Sequence, residues 1–442
     1  MITLPPNPSS PAPLSLGKGP SDSTEKKIKV LTLGDHPLAP SGVGIQTRNI
    51  CEALLQSGKF TITSLGGAIK HQSYDPIKTE DYKDDWVIYP VDGYGNANIL
   101  RSLITYEKPD IVWFMTDPRF WGWLWAIDNE VRASAPFVYY HVWDNYPYPF
   151  YNKNFYESND HIVTISKVTD DIVRNVAPAV SCTYLPHAVD GEVFKKGVYT
   201  KEEVSDFKQK HSFGDKMLFF WNSRNARRKQ SGSLLFWFKD FLDEVGHDKA
   251  VLLMHTNTKD PNGQDLDAIV EELELTNGQV FFSRDAVDPN QLALIYNMAD
   301  CTLCVSDAEG FGLSTLESLA CGTPIITTMT GGPQEQATDG DNWFGIGIEP
   351  ASKAIIGSQE VPYIYEDRVS GTDVKNALIT MYNMSPKERE TMGDLGREHV
   401  AKNYNFEDFK KNWVDLMLEI HETNGSHDTR KGYDKWQLLE VA

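Results

Sequence analysis

Short apolar segments that alternate with helical segments limit this chain to one class of fold. Residues 27–33 form a β-branched apolar run that ends at Gly34, and residues 44–56 have apolar side chains at helical spacing, with Gly58 as the expected stop. Further strands are predicted at 61–65, 111–115, 137–141 and 161–165. Strands separated by helical segments are typical of a parallel sheet covered by helices. The first half of the chain is therefore predicted to be an α/β domain.

The same alternation starts again in the second half of the chain. It predicts strands at 216–221, 250–255, 279–283, 301–305 and 324–328, and helices at 234–245, 289–298 and 313–320. Two doubly wound, Rossmann-like domains in tandem leave a cleft at the carboxyl ends of their strands, where such sheets bind ligands. We expect a disordered leader at 1–25 and domains at 26–200 and 201–400. Residues 401–442 are predicted to form a helix that packs back on the first domain, followed by a loose tail.

Composition restricts the partners and the location of the protein. The 442 residues include 42 Lys and Arg against 62 Asp and Glu, which gives a net charge of −20. A surface this acidic repels nucleic acid and anionic membranes at long range, which argues against general nucleic-acid binding. No apolar run approaches the roughly 20 residues that cross a bilayer, and the start of the chain lacks the apolar core of a signal peptide. We therefore expect no membrane anchor and a cytoplasmic location.

The five cysteines form an odd, scattered set. Cys301 and Cys304 are close in sequence, but on the predicted strand their side chains point to opposite faces, and no His or second pair completes a zinc site. Two Asp-x-Asp pairs, at 265–267 and 339–341, do not follow buried strands and are interpreted as solvated. The sequence therefore predicts buried free thiols, no metal site and no cofactor.

Residues 306–324 (SDAEGFGLSTLESLACGTP) carry the strongest functional signal. A predicted strand ends just before them, a Gly-x-Gly turn follows, and a helix is predicted to begin near Leu313. The free backbone amides at the start of a helix form an anion site, and glycines allow a ligand to approach the backbone closely. The candidate binding residues in this turn are Gly310, Phe311, Gly312, Leu313 and Ser314.

Charged side chains surround this predicted anion site. Glu309 and Glu317 flank the turn, and a carboxylate beside a phosphate is suited to accept hydrogen bonds from hydroxyl groups. Arg224 and Lys229 follow the first strand of the second domain, at the same edge of the sheet, where both can reach a diphosphate. A phosphate cradle between two hydroxyl-binding acids matches a nucleoside diphosphate sugar. The alternative is a capped helix with ordinary surface charges.

Gly42 and Gly44 follow the first strand of the chain and open a helix. Their spacing resembles the start of a dinucleotide-binding fingerprint, but Thr47 replaces the third glycine and the turn is too long. A Rossmann dehydrogenase is therefore disfavoured. Two interpretations stay open, a plain turn and a glycine loop that faces the cleft from the first domain.

These motifs resemble those of the GT-B glycosyltransferases of glycosyltransferase family 4, a retaining group. The resemblance rests on Glu309-x7-Glu317 with the intervening Gly-Phe-Gly and on the Cys-Gly-Thr-Pro at 321–324, and it covers roughly residues 27–421. It implies a GT-B fold with an N-terminal acceptor domain and a C-terminal domain for a nucleotide-sugar donor. It also implies transfer of a hexose to a hydroxyl acceptor with retained anomeric configuration and without a metal.

The resemblance implies a role for each matching residue. Glu309 corresponds to the acid that holds hydroxyls of the donor sugar, and Glu317 to the acid that binds the ribose. Arg224 and Lys229 correspond to the pair on the diphosphate. The remaining matches are the glycine loop at Gly42 and Gly44, the cleft histidine near the reacting sugar at His141, and the donor-side loop that ends at Glu335.

The chain departs from the family pattern in the loop that carries the basic pair. Ser223 precedes the arginine and Gln230 follows the lysine, where the family has glycine. The expected consequence is a changed loop shape rather than a loss of activity.

Three functions are compatible with the sequence. The first is hexose transfer from a nucleoside diphosphate sugar, with UDP and GDP both open, to a carbohydrate hydroxyl. The second is the same transfer to a hydroxymethylated DNA base in a host cytoplasm, since residues 330–367 resemble, more loosely, glycosyltransferases encoded by bacterial viruses. The third is a non-catalytic protein that binds a nucleotide sugar. The aromatic stretch 113–155 offers rings that stack on a sugar or a base, whereas the net charge of −20 argues against DNA.

Overall fold

The computed structural model describes residues 26–434, whose contacts divide into two compact units. The N-terminal unit comprises 26–187, Gly357–Pro362 and 407–434, and the C-terminal unit comprises Ala188–Ile356 and Tyr363–Phe406. Each unit contains a mainly parallel sheet with crossover helices, so the predicted α/β class with two Rossmann-like domains is confirmed. The leader predicted at 1–25 lies outside the described residues.

The sheet of the N-terminal unit consists of β1 (Ile28–Asp35), β2 (Phe60–Gly67), β3 (Ile77–Lys78), β4 (Trp86–Pro90), β5 (Ile111–Thr116), β6 (Phe137–His141), β7 (His161–Thr164) and β8 (Ser181–Tyr184). The strand order is β3-β4-β2-β1-β5-β6-β7-β8, and all neighbours are parallel except β3 and β4. The central strands β5 and β6 are buried along their whole length, which explains why their sequences are continuous apolar runs.

The helices of residues 26–187 are α1 (Gly42–Gln56), α2 (Ala97–Glu107), α3 (Gly122–Trp125), α4 (Asp128–Arg132), α5 (Lys153–Glu157) and α6 (Lys167–Val176). The first of them, α1, starts two residues earlier than predicted because the side chain of Ser41 caps it by accepting a hydrogen bond from the amide of Gly44. After the helix, Gly58 takes the left-handed φ of 73° and stops it as predicted.

The sheet of the C-terminal unit consists of β9 (Met217–Asn222), β10 (Ala250–His255), β11 (Val280–Ser283), β12 (Cys301–Cys304), β13 (Ile325–Thr328) and β14 (Gly345–Ile348). Its order is β11-β10-β9-β12-β13-β14, with every neighbouring pair parallel. The chain reverses its direction of winding between β9 and β12, and such a switch point is where open α/β sheets bind ligands. A separate antiparallel hairpin is formed by β15 (Ser352–Ile356) and β16 (Ile364–Arg368).

The helices of this unit are α7 (Lys201–Lys210), α8 (Ser231–Val245), α9 (Leu266–Glu272), α10 (Pro289–Met298), α11 (Leu313–Ala320), α12 (Pro333–Ala337), α13 (Gly371–Asn383) and α14 (Pro386–Asn403). The core between sheet and helices is aromatic, with Phe219 of β9 packed against Phe238 and Phe241 of α8. The bounds of α10 and α11 match the sequence prediction, because α10 begins with a capping box and α11 is bounded by glycines.

The boundary between the units lies earlier in the chain than predicted. Residues 188–200, which the sequence analysis assigned to the first domain, belong to the C-terminal unit. Lys196 forms ion pairs with Glu390 and Asp394 of α14, and the amide of Gly197 donates to Asn297 of α10. These contacts are distant in sequence, so local composition did not indicate them.

The end of the chain returns to the N-terminal unit through α15 (Phe406–Asn424). Trp413 is fully buried and packs edge-on against Trp113 and Tyr140, with ring centroids 6.1 and 4.9 Å apart. The tail that follows was predicted to be loose, but Arg430 donates a 2.7 Å hydrogen bond to Asp160 and a 2.9 Å bond to the carbonyl of Arg132. The described part of the tail is therefore held in place by charges that local sequence does not reveal.

Within residues 26–434, no helix has the length and apolarity needed to cross a bilayer. The five cysteines are free thiols, and all are buried except the half-buried Cys182.

Candidate functional site

The candidate site is built on the two loops that leave β9 and β12, the strands at the switch point of the C-terminal unit. The loop after β9 ends in a short 3-10 turn, Arg227–Lys229, and in Gln230, which precedes α8. Gln230, at the position where the resemblance expects glycine, adopts φ 57°, the left-handed conformation that glycine takes most easily. The loop after β12 carries Glu309 and leads into α11.

Lys229 and Glu309 form an ion pair that joins the two loops. Their side chains are only 12% and 13% exposed, so the pair is shielded from water and its geometry is restricted. Arg228 lies 3.9 Å from the same carboxylate and donates to the carbonyl of Ala308, while Ser306 donates to Glu309 over 3.4 Å. The structure thus brings together an acid and a base that the sequence predicted from separate segments.

The glycine turn places the start of α11 beside this pair. Gly312 has φ 85°, and a Cβ there would lie 2.7 Å from Oγ1 of Thr315 and 3.0 Å from Cγ of Pro333. Within the described residues no side chain caps this helix, so the amides at Leu313 and Ser314, both half-buried, are available to an anion. Gly310, just before, is half-buried as well.

Phe311 has a structural position. Its ring is buried and packs against Tyr404 at 5.9 Å, and its carbonyl accepts a 2.6 Å hydrogen bond from Gln336. The Phe311 side chain, predicted among the binding residues, therefore packs inside the unit and supports the turn.

A second glycine loop, at Gly331 and Gly332, contacts the backbone of the turn that precedes α11. The amide of Gly332 donates to the carbonyl of Glu309 at 3.0 Å. A Cβ on Gly331 would overlap that carbonyl, and a Cβ on Gly332 would lie 2.5 Å from the Cα of Phe311. Only glycine fits at both positions, so the loop after β13 determines where the backbone of Glu309 lies.

Glu317 lies one helical turn into α11 and is half-buried. It accepts a 2.7 Å hydrogen bond from the hydroxyl of Tyr296, which in turn accepts from the side-chain amide of Asn222 at the end of β9. Burial raises the pKa of Glu317 to about 7, although the Tyr296 hydrogen bond lowers it. The two acids of the motif thus differ: Glu309 is paired with a cation, whereas Glu317 accepts a hydrogen bond from a neutral hydroxyl.

Arg224 lies apart from the Lys229–Glu309 pair in this conformation. Its guanidinium makes hydrogen bonds of 2.7 and 3.2 Å to Asp260, and its side chain is 64% exposed. The hydrogen bond from Arg224 lowers the pKa of Asp260. Arg224 is therefore accessible, but it is directed to a carboxylate that the sequence analysis did not consider.

Glu335 is half-buried on α12, the helix that follows the second glycine loop. The hydroxyl of Tyr404 lies 3.4 Å from its Oε1, and its backbone carbonyl accepts from His399 at 3.1 Å. It belongs to the same unit as Glu309 and Glu317.

The other predicted site residues lie in the N-terminal unit. Gly42 is exposed in the first turn of α1, whereas Gly44 is buried, and a Cβ there would lie 2.8 Å from the carbonyl of Ala39 and 2.9 Å from that of His36. The two glycines are thus part of a capped helix start, not of an open loop before it.

His141 is fully buried at the end of β6. Its Nε2 lies 2.7 Å from the hydroxyl of Tyr156, and the ring packs between Tyr139 and Tyr156 at centroid distances of 4.8 and 4.9 Å. Burial lowers its pKa to about 3, so the ring is neutral at physiological pH. Contact with a sugar requires an accessible edge, which the ring lacks in this conformation.

A charge network that the sequence analysis missed lies next to the ion pair. The carboxylates of Asp307 and Glu366, 2% and 5% exposed, are shared by the guanidinium groups of Arg227 and Arg368. Arg227 binds Glu366 through two hydrogen bonds of 2.6 and 2.9 Å, and Gln230 donates to Asp307 at 2.6 Å. Burial alone would raise the pKa of Glu366, but the two arginines lower it overall. The sequence contains one signal, the alternation of Glu366 and Arg368 on one strand face, but it does not identify their partners.

No group of three or more His, Cys, Asp or Glu side chains in 26–434 is arranged to hold a metal ion. The Asp-x-Asp pairs are peripheral: Asp265 caps α9, and Asp339 accepts hydrogen bonds from the amides of its own turn.

Comparison with known proteins adds to this geometry. Residues 204–357 match the family model described as Glycosyl transferases group 1. An alpha-monoglucosyldiacylglycerol synthase of Streptococcus pneumoniae is 28% identical over 195 residues, 44% of this chain and 42% of that protein. A synthase of the same name from Acholeplasma laidlawii is 27% identical over 233 residues, 51% of this chain and 55% of that protein. The chain thus spans about half the length of these curated relatives.

Solved structures extend the likeness to the fold. The sucrose-phosphate synthase of Thermosynechococcus elongatus is similar with a TM-score of 0.71 at 16% identity, over 90% of this chain and 100% of that one. HepE of Anabaena, solved in complex with UDP and glucose, is similar with a TM-score of 0.65 at 13% identity, over 89% of this chain and 100% of that one. These likenesses show a GT-B fold, and the residues that match the group 1 family model lie in the C-terminal unit apart from residue 357.

Proposed function

We propose that this protein, whose residues 204–357 match the group 1 glycosyltransferases, transfers a hexose from a nucleoside diphosphate sugar to a hydroxyl acceptor with retained anomeric configuration. The observation that carries the proposal is the Lys229–Glu309 ion pair beside the glycine turn that opens α11. A cation for phosphate, an acid for sugar hydroxyls and free helix amides lie together within one unit.

In this proposal the diphosphate binds at the amides of Leu313 and Ser314. Lys229 exchanges the Glu309 carboxylate for phosphate oxygen, which frees Glu309 to accept hydrogen bonds from the sugar hydroxyls. Arg224, exposed and held by Asp260, makes the same exchange. Glu317 accepts hydrogen bonds from the ribose. Fixed positive charge then stabilises the leaving diphosphate, the task that a metal performs in other transferases.

The transfer itself needs no covalent intermediate on the protein. The acceptor oxygen attacks the anomeric carbon on the face from which the diphosphate leaves, and the bond between that carbon and the phosphate oxygen breaks. The leaving phosphate oxygen takes the proton of the acceptor hydroxyl. The proposal assigns both acids of the motif to other roles, Glu309 to the sugar hydroxyls and Glu317, which accepts a hydrogen bond from Tyr296, to the ribose, so neither serves as a nucleophile.

Donor binding tests the first part of the proposal. The wild-type protein is heated with UDP, GDP, UDP-glucose or GDP-mannose, UDP and glucose being the ligands in the HepE structure. We expect one nucleotide series to raise Tm, because a ligand at 100 times its Kd stabilises the folded state by about 2.7 kcal/mol. If none of the four raises Tm or is hydrolysed or transferred, the proposal is overturned.

Lys229→Ala tests the site. We expect it to lower turnover by about 100- to 1000-fold, the usual effect of removing one donor that stabilises developing negative charge, and to abolish the Tm shift. Lys387→Ala, which removes an exposed lysine of α14 in the same unit, should behave as the wild type. Equal activity of the Lys229→Ala and Lys387→Ala proteins would contradict the assignment.

Acceptor assays distinguish the remaining functions. Small carbohydrates, a glycolipid and duplex DNA containing hydroxymethylated pyrimidine are compared, the DNA at two salt concentrations because phosphate contacts weaken with salt. Product that keeps the anomeric configuration of the donor supports the proposed stereochemistry, and an inverted product refutes it. Tight donor binding without hydrolysis or transfer to any acceptor would indicate a non-catalytic protein.

A further inference from the structure

The β15–β16 hairpin is attached to the candidate site by its side chains and its backbone. Successive side chains of a strand point to opposite faces, so Glu366 and Arg368 point to one side of the hairpin and Tyr365 to the other. Residues opposite each other on the two paired strands share a face. On the inner side, Glu366 binds Arg227 and Arg368 pairs with Asp307. The backbone adds a third link, a 2.9 Å hydrogen bond from the amide of Asp367 to the carbonyl of Asp307.

The charge network and the ion pair share the same two loops. Arg227 precedes Lys229 by two residues in one loop, and Asp307 precedes Glu309 by two residues in the other. The amide of Asp307 also donates to the carbonyl of Arg228 at 2.8 Å, which ties the loops together between the two sets of charges. Any displacement of Arg227 or Asp307 therefore moves the residues that the proposed function places on the donor.

We propose that the β15–β16 hairpin is a brace for the donor site, by which we mean that it fixes the positions of the two loops that carry Lys229 and Glu309. Glu366 and Arg368 are the positioning residues that hold these loops. The proposal rests on the proposed function. Glu366 and Asp307 are buried among arginines, so removing one charge leaves its partners unpaired and releases the loops they hold. Neither Glu366 nor Arg368 needs to touch the donor for this effect.

The outer face of the hairpin provides a matched control. Lys353 lies on that face with its side chain 59% exposed, 4.0 Å from Asp367 and outside the charge network. Lys353→Gln removes one charge from the hairpin, as Glu366→Gln does, and leaves the four network residues in place.

The test compares Glu366→Gln with Lys353→Gln, each made in the wild-type protein and in the Lys229→Ala protein. We expect Glu366→Gln to lower kcat/KM by about 10- to 100-fold, the scale that accompanies small misplacements of reacting groups, and Lys353→Gln to leave it unchanged. In the Lys229→Ala background we expect Glu366→Gln to have less than about a threefold effect, because residues that act through one another are not additive.

The same comparison is made for affinity, by calorimetric titration of UDP or GDP, whichever stabilises the wild type. Arg368→Lys keeps the charge of the side chain and replaces Glu366→Gln in the comparison if the Glu366→Gln protein does not fold. Wild-type activity in Glu366→Gln and Arg368→Lys, or an unchanged effect of Glu366→Gln after Lys229 is removed, would overturn the brace while leaving the proposed function intact. A wild-type protein that neither binds nor turns over any nucleotide sugar would overturn both.

Discussion

At the scale of single residues, the two acids of the Glu-x7-Glu motif have different environments. Glu309 is ion-paired with Lys229, whereas Glu317 accepts a hydrogen bond from the neutral hydroxyl of Tyr296. A carboxylate buried without a cation is costly to ionise. The pKa of the acid proposed to bind ribose is therefore raised above that of a free glutamate.

This difference predicts how stability depends on pH. Burial raises the pKa of Glu317 from 4.5 to about 7, so the folded state holds its proton more tightly than the unfolded state. The contribution of Glu317 to the free energy of unfolding is fully present below about pH 4.5 and is lost as pH rises through about 7. Between pH 5 and pH 8 we expect the free energy of unfolding of the wild type to fall by up to about 3 kcal/mol more than that of Glu317→Gln.

The measurement is a urea titration at each pH, with amide hydrogen exchange in α11 as the probe, since two units need not unfold together. Glu398→Gln, on the exposed face of α14, should follow the wild type. Parallel pH curves for the wild type and Glu317→Gln would show that Glu317 does not titrate in this range.

At the scale of elements, the site depends on loops that contact one another at backbone distance. The loop after β13 approaches the loop after β12 so closely that Gly331 has no room for a side chain. Its φ of 53° adds a second requirement for glycine, because an L-residue there has left-handed backbone strain. Comparison with a second glycine separates the effect of the missing space from the effect of the left-handed backbone conformation.

Gly340 supplies that comparison, because its φ is 99° and its Cβ would meet no atom within 4 Å. We expect Gly331→Ala to reduce the free energy of unfolding by about 1–3 kcal/mol more than Gly340→Ala, since only the first change adds overlap to strain. Chemical denaturation of both variants measures the difference. Equal losses would mean that the loops separate at little cost and that the position of Glu309 is not held by Gly331.

At the scale of the whole molecule, each of the two units is built from segments that are not contiguous in sequence. The N-terminal unit is completed by α15, which the chain reaches only after the C-terminal unit is finished. The sequence predicts a terminal helix that packs on the first domain, and Trp413 lies against Trp113 and Tyr140 of that unit. Stability of the N-terminal unit therefore depends on the last part of the chain.

We expect Trp413→Ala to destabilise the N-terminal unit by about 3–5 kcal/mol, the cost of deleting a large buried aromatic ring. Trp343→Ala, which removes a ring that is 46% exposed in the C-terminal unit, should cost far less. Hydrogen exchange of β5 and β6 reports the stability of the N-terminal unit directly. Unchanged exchange in these strands would show that α15 is not part of their cooperative unit.

The sequence by itself determined the fold class with two Rossmann-like domains, and it predicted the segments that form the candidate site. Long buried strands such as β6 and capped helices such as α10 were predictable because apolar periodicity and caps act locally. The proximity of Lys229 and Glu309 was also predictable, because both residues follow parallel strands whose carboxyl ends meet at one edge of the sheet.

Only the tertiary structure decided the partners of these residues. Arg224 binds Asp260 and Glu366 closes a network with Arg227, each contact joining residues far apart in sequence, and His141 is enclosed by Tyr139 and Tyr156. A single sequence carries no record of which charges meet at sequence separations of 36 or 139. Such contacts depend on how loops and hairpins pack, and packing is a property of the folded chain as a whole.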